Sequence, residues 1–223
     1  MALERGEFEI HYQPILNLRR QAFSGFEALL RWRHGKDGLI SPARFIPVAE
    51  ETGLIVPIGE WVLREAIAEA ATWPRDLRVA INVSSVQFQR GNVVATIMNA
   101  LGSGGLSPQR VEIEITESVF FENSASNLDS LRQLHALGLK IALDDFGTGF
   151  SALSYLLSYP FDKIKIDGAF VRAIDNAAGA QTIVGPSPRS AMAWVSLPPQ
   201  RASRPQRSCA MCMPPATPRR RAI

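Results

Sequence analysis

A chain of 223 residues, 46% hydrophobic and 20% charged, has the length and apolar content of one domain of usual size, which excludes a disordered or fibrous protein. The formal charge of +3 misleads: residues 1–185 carry 17 basic against 21 acidic side chains, so the basic excess lies wholly in residues 186–223. Only two cysteines are present, too few for a disulfide scaffold, and no apolar run is long enough to suggest a leader or a membrane span.

The first segments to note are Phe8 to Ile15, with Gln13 before Pro14 at a strand end, and an apolar run in which Glu27 stands between Phe26 and Leu29. Arg78-Val-Ala-Ile-Asn-Val-Ser84 is a β-branched run that delivers Asn82 at its carboxyl end. An amphipathic segment follows over Val93 to Leu101. Arg110-Val-Glu-Ile-Glu-Ile-Thr-Glu117 then presents Glu114 and Glu117, and a second amphipathic segment covers Ala125 to Leu137. In Lys140-Ile-Ala-Leu-Asp-Asp-Phe-Gly-Thr-Gly-Phe-Ser151 an apolar run stops on two adjacent carboxylates, Asp144 and Asp145, before a glycine-flanked turn and a helix over Ala152 to Leu157. Phe161-Asp-Lys-Ile-Lys-Ile-Asp167 places Lys165 and Asp167 at the same point of the next strand.

Strands alternating with helices imply a parallel α/β sheet, whose chemistry gathers at the carboxyl ends of the strands. Asn82, Glu114, Asp144, Asp145 and Lys165 are therefore aimed at one face. Adjacent carboxylates repel, a cost that a cation, a shared proton or helix-terminal N–H groups offset. The plainer alternative is a helix N-cap with a spare acid, and a structural ion pair with Asp144 is the rival reading of Lys165. Oxygen donors with one amide and one lysine suit a hard divalent cation, Mg²⁺ or Mn²⁺, rather than zinc. His11, His34 and His135 have no ligand spacing and read as surface or filler residues.

Phe8-Glu-Ile-His-Tyr-Gln-Pro-Ile15, Glu27-Ala-Leu-Leu-Arg31-Trp32 and Ser41-Pro-Ala-Arg-Phe-Ile-Pro-Val-Ala-Glu50 closely resemble the opening of an EAL domain, the bacterial cyclic di-GMP phosphodiesterase module. Asn82-Val-Ser, Glu114-Ile-Thr-Glu117, Asp144-Asp145-Phe-Gly-Thr-Gly and Lys163-Ile-Lys165-Ile-Asp167 follow in that family's order and spacing, so the resemblance runs from about Ala2 to Val184. It implies a TIM-like (β/α) barrel and hydrolysis of one phosphodiester of cyclic di-GMP to the linear dinucleotide pGpG. It also implies two divalent ions, Mg²⁺ or Mn²⁺, held by Glu27, Asn82, Glu114, Asp144 and Asp145. By the same resemblance Lys165 orients or polarises the attacking water, Arg31 contacts a substrate phosphate, Gln13 and Leu29 line the nucleotide pocket, and Glu117 braces the loop after Asp145. Homodimerisation through Asp145 to Leu157, a cytoplasmic location and an upstream sensor or GGDEF module are further implications.

The resemblance stops near Gly185. Residues 186–223 hold both cysteines, eight of the fifteen prolines and seven arginines, with no acid and no helix or strand period, so a disordered tail is expected beside an EAL domain over residues 1–185. With Trp194 as their one aromatic neighbour and no fold, the arginines do not make a nucleic-acid site, and Cys209-Ala-Met-Cys212 lacks a second ligand pair for zinc. Regrouping the tail's codons by one nucleotide allows Pro186 to Arg207 to read AIAALGHGLGVATTAEGVETAA, the continuation usual in the family. Arg220 to Ile223 then allow QGY. One nucleotide lost near Gly185 accounts for both and leaves the barrel incomplete at its C-terminal end. Three functional readings stand at this point: a metal-dependent phosphodiesterase impaired by the lost end, an inactive cyclic di-GMP-binding module, and a nonfunctional frameshift product.

Overall fold

The computed structural model describes residues 2–120, 124–146, 159, 161–166 and 192–195. Strands β1 (Phe8–Asn17) and β2 (Ala22–His34) form an antiparallel hairpin, with the short β3 (Gly38–Ile40) paired to the far end of β2. Helices α1 (Pro42–Glu51) and α2 (Ile55–Ala71) carry the chain back, so that β4 (Arg78–Asn82) lies parallel to β2. This pairing requires Gly25, because a Cβ there would collide with the carbonyl oxygen of Arg78. Helices α3 (Ser85–Arg90) and α4 (Val93–Gly104) lead to β5 (Val111–Thr116), and α5 (Ser124–Ala136) leads to β6 (Lys140–Phe146). Strands β7 (Lys163–Ile166) and β8 (Met192–Val195) complete one sheet in the order β1-β2-β4-β5-β6-β7-β8, parallel from β2 onward.

The core lies between this sheet and its helices. Val79 and Ile81 on β4, Ile113 and Ile115 on β5, and Ile141 and Leu143 on β6 alternate along their strands and are almost fully buried. They meet a helical stripe of Ile58, Val62, Leu63, Ala66, Ile67 and Ala70 on α2, spaced by three or four residues, with Ile97 of α4 and Leu131 and Leu134 of α5. Each such buried aliphatic side chain contributes about 1.5–3 kcal/mol of transfer free energy. Helix α4 starts where Asn92 Oδ1 accepts the Ala95 N–H at 3.0 Å and ends at Gly105, left-handed with φ 65°.

These elements make an incomplete TIM-like (β/α) barrel; among the described residues no ladder joins β8 back to β1. Strand β8 departs from the expectation of a tail without strands. Met192-Ala-Trp-Val195 is apolar and free of proline, and its backbone pairs with the open edge of β7. The expected helix over Ala152 to Leu157, Asp167 and the rest of the 186–223 tail lie outside the described residues, as does the expected dimer segment beyond Phe146. Among the described residues no helix is long and apolar enough to cross a membrane.

Candidate functional site

Period-two alternation turns every second residue of each strand to the sheet face opposite the helices. On that face β2 offers Glu27, Leu29 and Arg31, β4 offers Ala80 and Asn82, β5 offers Glu112, Glu114 and Thr116, β6 offers Ala142 and Asp144, and β7 offers Lys163 and Lys165. The parallel register aligns them, with Glu27 beside Ala80, Asn82 beside Glu114, Thr116 beside Asp144 and Ala142 beside Lys163. Two polar tiers result. At the amino ends of the strands, Lys163 Nζ donates to Glu112 Oε1 at 2.7 Å and Lys140 Nζ to Asp162 Oδ1 at 2.7 Å.

The second tier, at the carboxyl ends, is an acidic cluster around one lysine. Lys165 Nζ donates to Glu114 Oε2 at 2.8 Å and to Asp144 Oδ2 at 2.5 Å, and lies 3.9 Å from Glu27 Oε2. Asn82 Nδ2 donates to Glu27 Oε1 at 2.9 Å, which leaves the Asn82 carbonyl oxygen as the free end of its amide. Oxygen atoms of Glu27, Glu114 and Asp144 all lie within 4.8 Å of one another. Glu114 and Lys165 are buried, at 1% and 7% exposure. Burial pushes the Glu114 carboxyl well above the usual carboxylate range; Lys165 pulls it down and Glu27 pushes it further up. Burial works against the charged form of Lys165, but Glu114, Glu27 and Asp144 together outweigh it and hold the ammonium above its ordinary pKa.

One ammonium does not balance three carboxylates. Among the described residues Glu114 Oε1 is buried and has no hydrogen-bond partner, a deficit that a cation would fill. The donors are carboxylate and amide oxygens without His or Cys, so the cluster can hold a hard divalent ion.

A cavity of about 400 Å³ lies beside the cluster and reaches it through Asn82 and Glu114; Leu29, Arg31, Thr116 and Asp145 also line it, with Ile46, Ile58, Val62 and Val83 as apolar wall, whereas Glu27, Asp144 and Lys165 do not. Asp145 lies outside the group of three. It is exposed and left-handed (φ 54°), a conformation that costs a non-glycine residue, and its N–H donates to Asp144 Oδ1 at 2.8 Å, which fixes the Asp144 carboxylate. Half-buried Arg31 donates through Nη1 to its neighbour's carbonyl, Leu30 O, at 2.9 Å. Gln13 stands across the β1–β2 ladder from Glu27 and shares its face, yet it is exposed and does not line the cavity. Glu117 opens the 3₁₀ turn Glu117–Phe120 at 6% exposure, while the loop it was expected to brace lies outside the described residues from 147 onward. His11, His34 and His135 pair with Glu9, Asp37 and Asp162 respectively, away from the cluster.

A bracket beneath the site escaped the sequence reading. Ser84 Oγ donates to Glu50 Oε1 at 2.6 Å and accepts the Val86 N–H at 3.2 Å, while the Gln87 amide oxygen accepts the Ser84 N–H at 3.1 Å. Gly59 of α2 packs against the Gln87 amide so closely that a Cβ would collide with it. This bracket ties the end of β4, two residues past Asn82, to α1 and α2. Ser84-x-x-Gln87 is a capping-box pattern that was visible in the sequence, whereas Glu50 is 34 residues away and carried no local signal.

Comparison with known proteins identifies the family and the fold. The EAL domain family matches residues 1–191. The bifunctional diguanylate cyclase/cyclic di-GMP phosphodiesterase MucR of Pseudomonas aeruginosa is 42% identical over 191 residues, covering 82% of this chain and 28% of MucR. The cyclic di-GMP phosphodiesterase PdeR of Escherichia coli is 41% identical over 187 residues, 82% of this chain and 28% of PdeR. A solved MucR phosphodiesterase in complex with c-di-GMP superposes with a TM-score of 0.74 at 42% identity, covering 82% of this chain and 76% of the other. The chain spans about a quarter of the length of these two curated relatives.

Proposed function

Because the chain belongs to the EAL domain family, we propose that it is a metal-dependent phosphodiesterase module that opens one phosphodiester of cyclic di-GMP to linear pGpG. The observation that carries this reading is the Glu27, Glu114 and Asp144 cluster, its oxygens within 4.8 Å of one another and bridged by Lys165, beside a cavity that Glu114 also lines.

Glu27, Asn82, Glu114, Asp144 and Asp145 are the residues to hold two divalent ions, Mg²⁺ or Mn²⁺. When bound, such ions supply charge neutralisation at the phosphoryl oxygens and lower the pKa of the attacking water. Lys165, kept protonated by its acidic neighbours, orients that water by donating to it. The forked donors of Arg31 meet a non-bridging phosphate oxygen pair. Leu29 supplies apolar floor to the nucleotide pocket, Gln13 closes its edge, and Glu117 braces the loop after Asp145. Asp145 turns the chain sharply where the pair ends, with its own carboxylate on the cavity and that of Asp144 in the cluster.

The catalytic module comprises residues 1–185, and residues 186–223 are an aberrant appendage that impairs it. A one-nucleotide loss near Gly185 is the origin we assign to that appendage. The gene tests it directly: codons at Gln200 and Arg201 unable to give GAG in the shifted frame refute it. Relatives of this length class carry further modules, so an upstream sensor or GGDEF domain, a cytoplasmic setting and dimerisation through Asp145 to Leu157 complete the proposal. Hydrolysis of cyclic di-GMP in the presence of Mn²⁺ and of chelator tests the activity.

A further inference from the structure

We infer that Lys165 is the resident counter-ion of the acidic cluster: its ammonium holds Glu114 and Asp144 together while no divalent ion is bound, and ion entry proceeds in competition with it. The inference rests on the proposed metal site and adds to it a role for Lys165 in loading that site.

Geometry carries it. The ammonium hydrogen-bonds two of the three carboxylates, at 2.8 and 2.5 Å, and stands 3.9 Å from the third. These are the same three residues whose oxygens gather within 4.8 Å as an ion's ligands would. Without a cation three carboxylates at that spacing, one of them 1% exposed, repel in a poorly solvated place, and the cluster would spread. A single charge on a four-carbon stem is an incomplete answer. Among the described residues Glu114 Oε1 remains buried and without a hydrogen-bond partner, so the cluster keeps a demand that a second cation satisfies. A divalent ion brings more charge than an ammonium, and to take both carboxylates fully it must draw them away from Lys165.

The same strand contains an internal control. Lys163, two residues earlier and on the same face, pairs with Glu112 at 2.7 Å in the lower tier, away from the three clustered acids. Loss of Lys163 removes a half-buried ion pair; loss of Lys165 removes a competitor as well.

The test is calorimetric titration of Mn²⁺ into the full chain, Lys165→Met and Lys163→Met, together with thermal unfolding of each in chelator. Lys165→Met is expected to melt lower than the parent in chelator, yet to bind Mn²⁺ at least tenfold more tightly. Lys163→Met is expected to melt lower with Mn²⁺ affinity within about twofold of the parent. Should Lys165→Met not fold without metal, Lys165→Arg keeps the charge and is expected to bind Mn²⁺ no more tightly than the parent. Equal or weaker Mn²⁺ binding by Lys165→Met, or tighter binding by Lys165→Arg, overturns the inference alone. No Mn²⁺ binding by any of the folded proteins overturns the metal site and the inference with it.

Discussion

Removing the Ser84 hydroxyl tests how the end of β4 is held. Ser84→Ala deletes an N-cap, worth about 1 kcal/mol, and a hydrogen bond to the Glu50 carboxylate at 2.6 Å. A hydrogen bond to a charged acceptor contributes about 1.5–3 kcal/mol, and the half-buried setting of both residues places this one at the low end. The expected total is about 2.5 kcal/mol, read as a shift of the urea midpoint at constant m. A double-mutant cycle with Glu50→Ala separates the two contributions, because the cap survives in Glu50→Ala while the hydrogen bond does not. The expected coupling energy is about 1.5 kcal/mol. A coupling energy under about 0.5 kcal/mol would refute the bracket as a tie between β4 and α1, since additivity within that margin marks independent sites.

Glu114→Gln keeps the volume of a buried carboxyl whose charged form burial disfavours, so in chelator the variant is expected to melt no lower than the parent while losing the Mn²⁺-induced rise in melting temperature; a retained Mn²⁺ shift contradicts the ligand assignment. Gly59→Ala would ordinarily gain up to about 1 kcal/mol of helix propensity. Here the Cβ must displace the buried Gln87 amide that caps Ser84, so a net loss of about 1–2 kcal/mol is expected, and a net gain in the urea midpoint refutes that packing. Glu7 is held at a pKa of about 2, first by Arg5 and then by the Trp32 indole N–H at 2.9 Å. Its depressed pKa gives stability that is present above about pH 4.5 and is lost as pH falls toward 2. Glu7→Gln should therefore flatten the acid side of the stability profile, and an unchanged slope between those pH values counts against the contact.

The strand ends were legible because two rules meet there: β-branched runs stop abruptly, and parallel sheets work at their carboxyl ends. Asn82, Glu114, Asp144 and Lys165 follow from those rules without any partner being known. What they touch did not follow. Glu27 reaches Asn82 across 55 residues and Lys165 reaches Glu114 across 51, and nothing local encodes either register. The paired Asp144 and Asp145 looked equivalent in sequence, yet the left-handed turn at Asp145 sends one carboxylate into the cluster and leaves the other at the cavity rim. The ion pair posed between Lys165 and Asp144 is present and extends to Glu114, one oxygen of which has no hydrogen-bond partner among the described residues. Gln13, read as a site residue from resemblance, stands on the right face but at an exposed edge. The lower tier of Glu112 with Lys163 and Lys140 with Asp162 was hidden because each charge alone reads as a solvated strand residue.

The central claim is that the acidic cluster is a phosphodiesterase centre, and cyclic di-GMP turnover tests it most directly. The assay compares the chain as it stands with a version whose residues after Gly185 follow the regrouped frame, each with Mn²⁺ and with Mn²⁺ plus chelator. The account predicts linear pGpG from the restored protein only when Mn²⁺ is free, loss of that product in Glu114→Gln, and little or no turnover by the chain with its present tail. A restored protein that folds and binds Mn²⁺ but leaves cyclic di-GMP intact contradicts it.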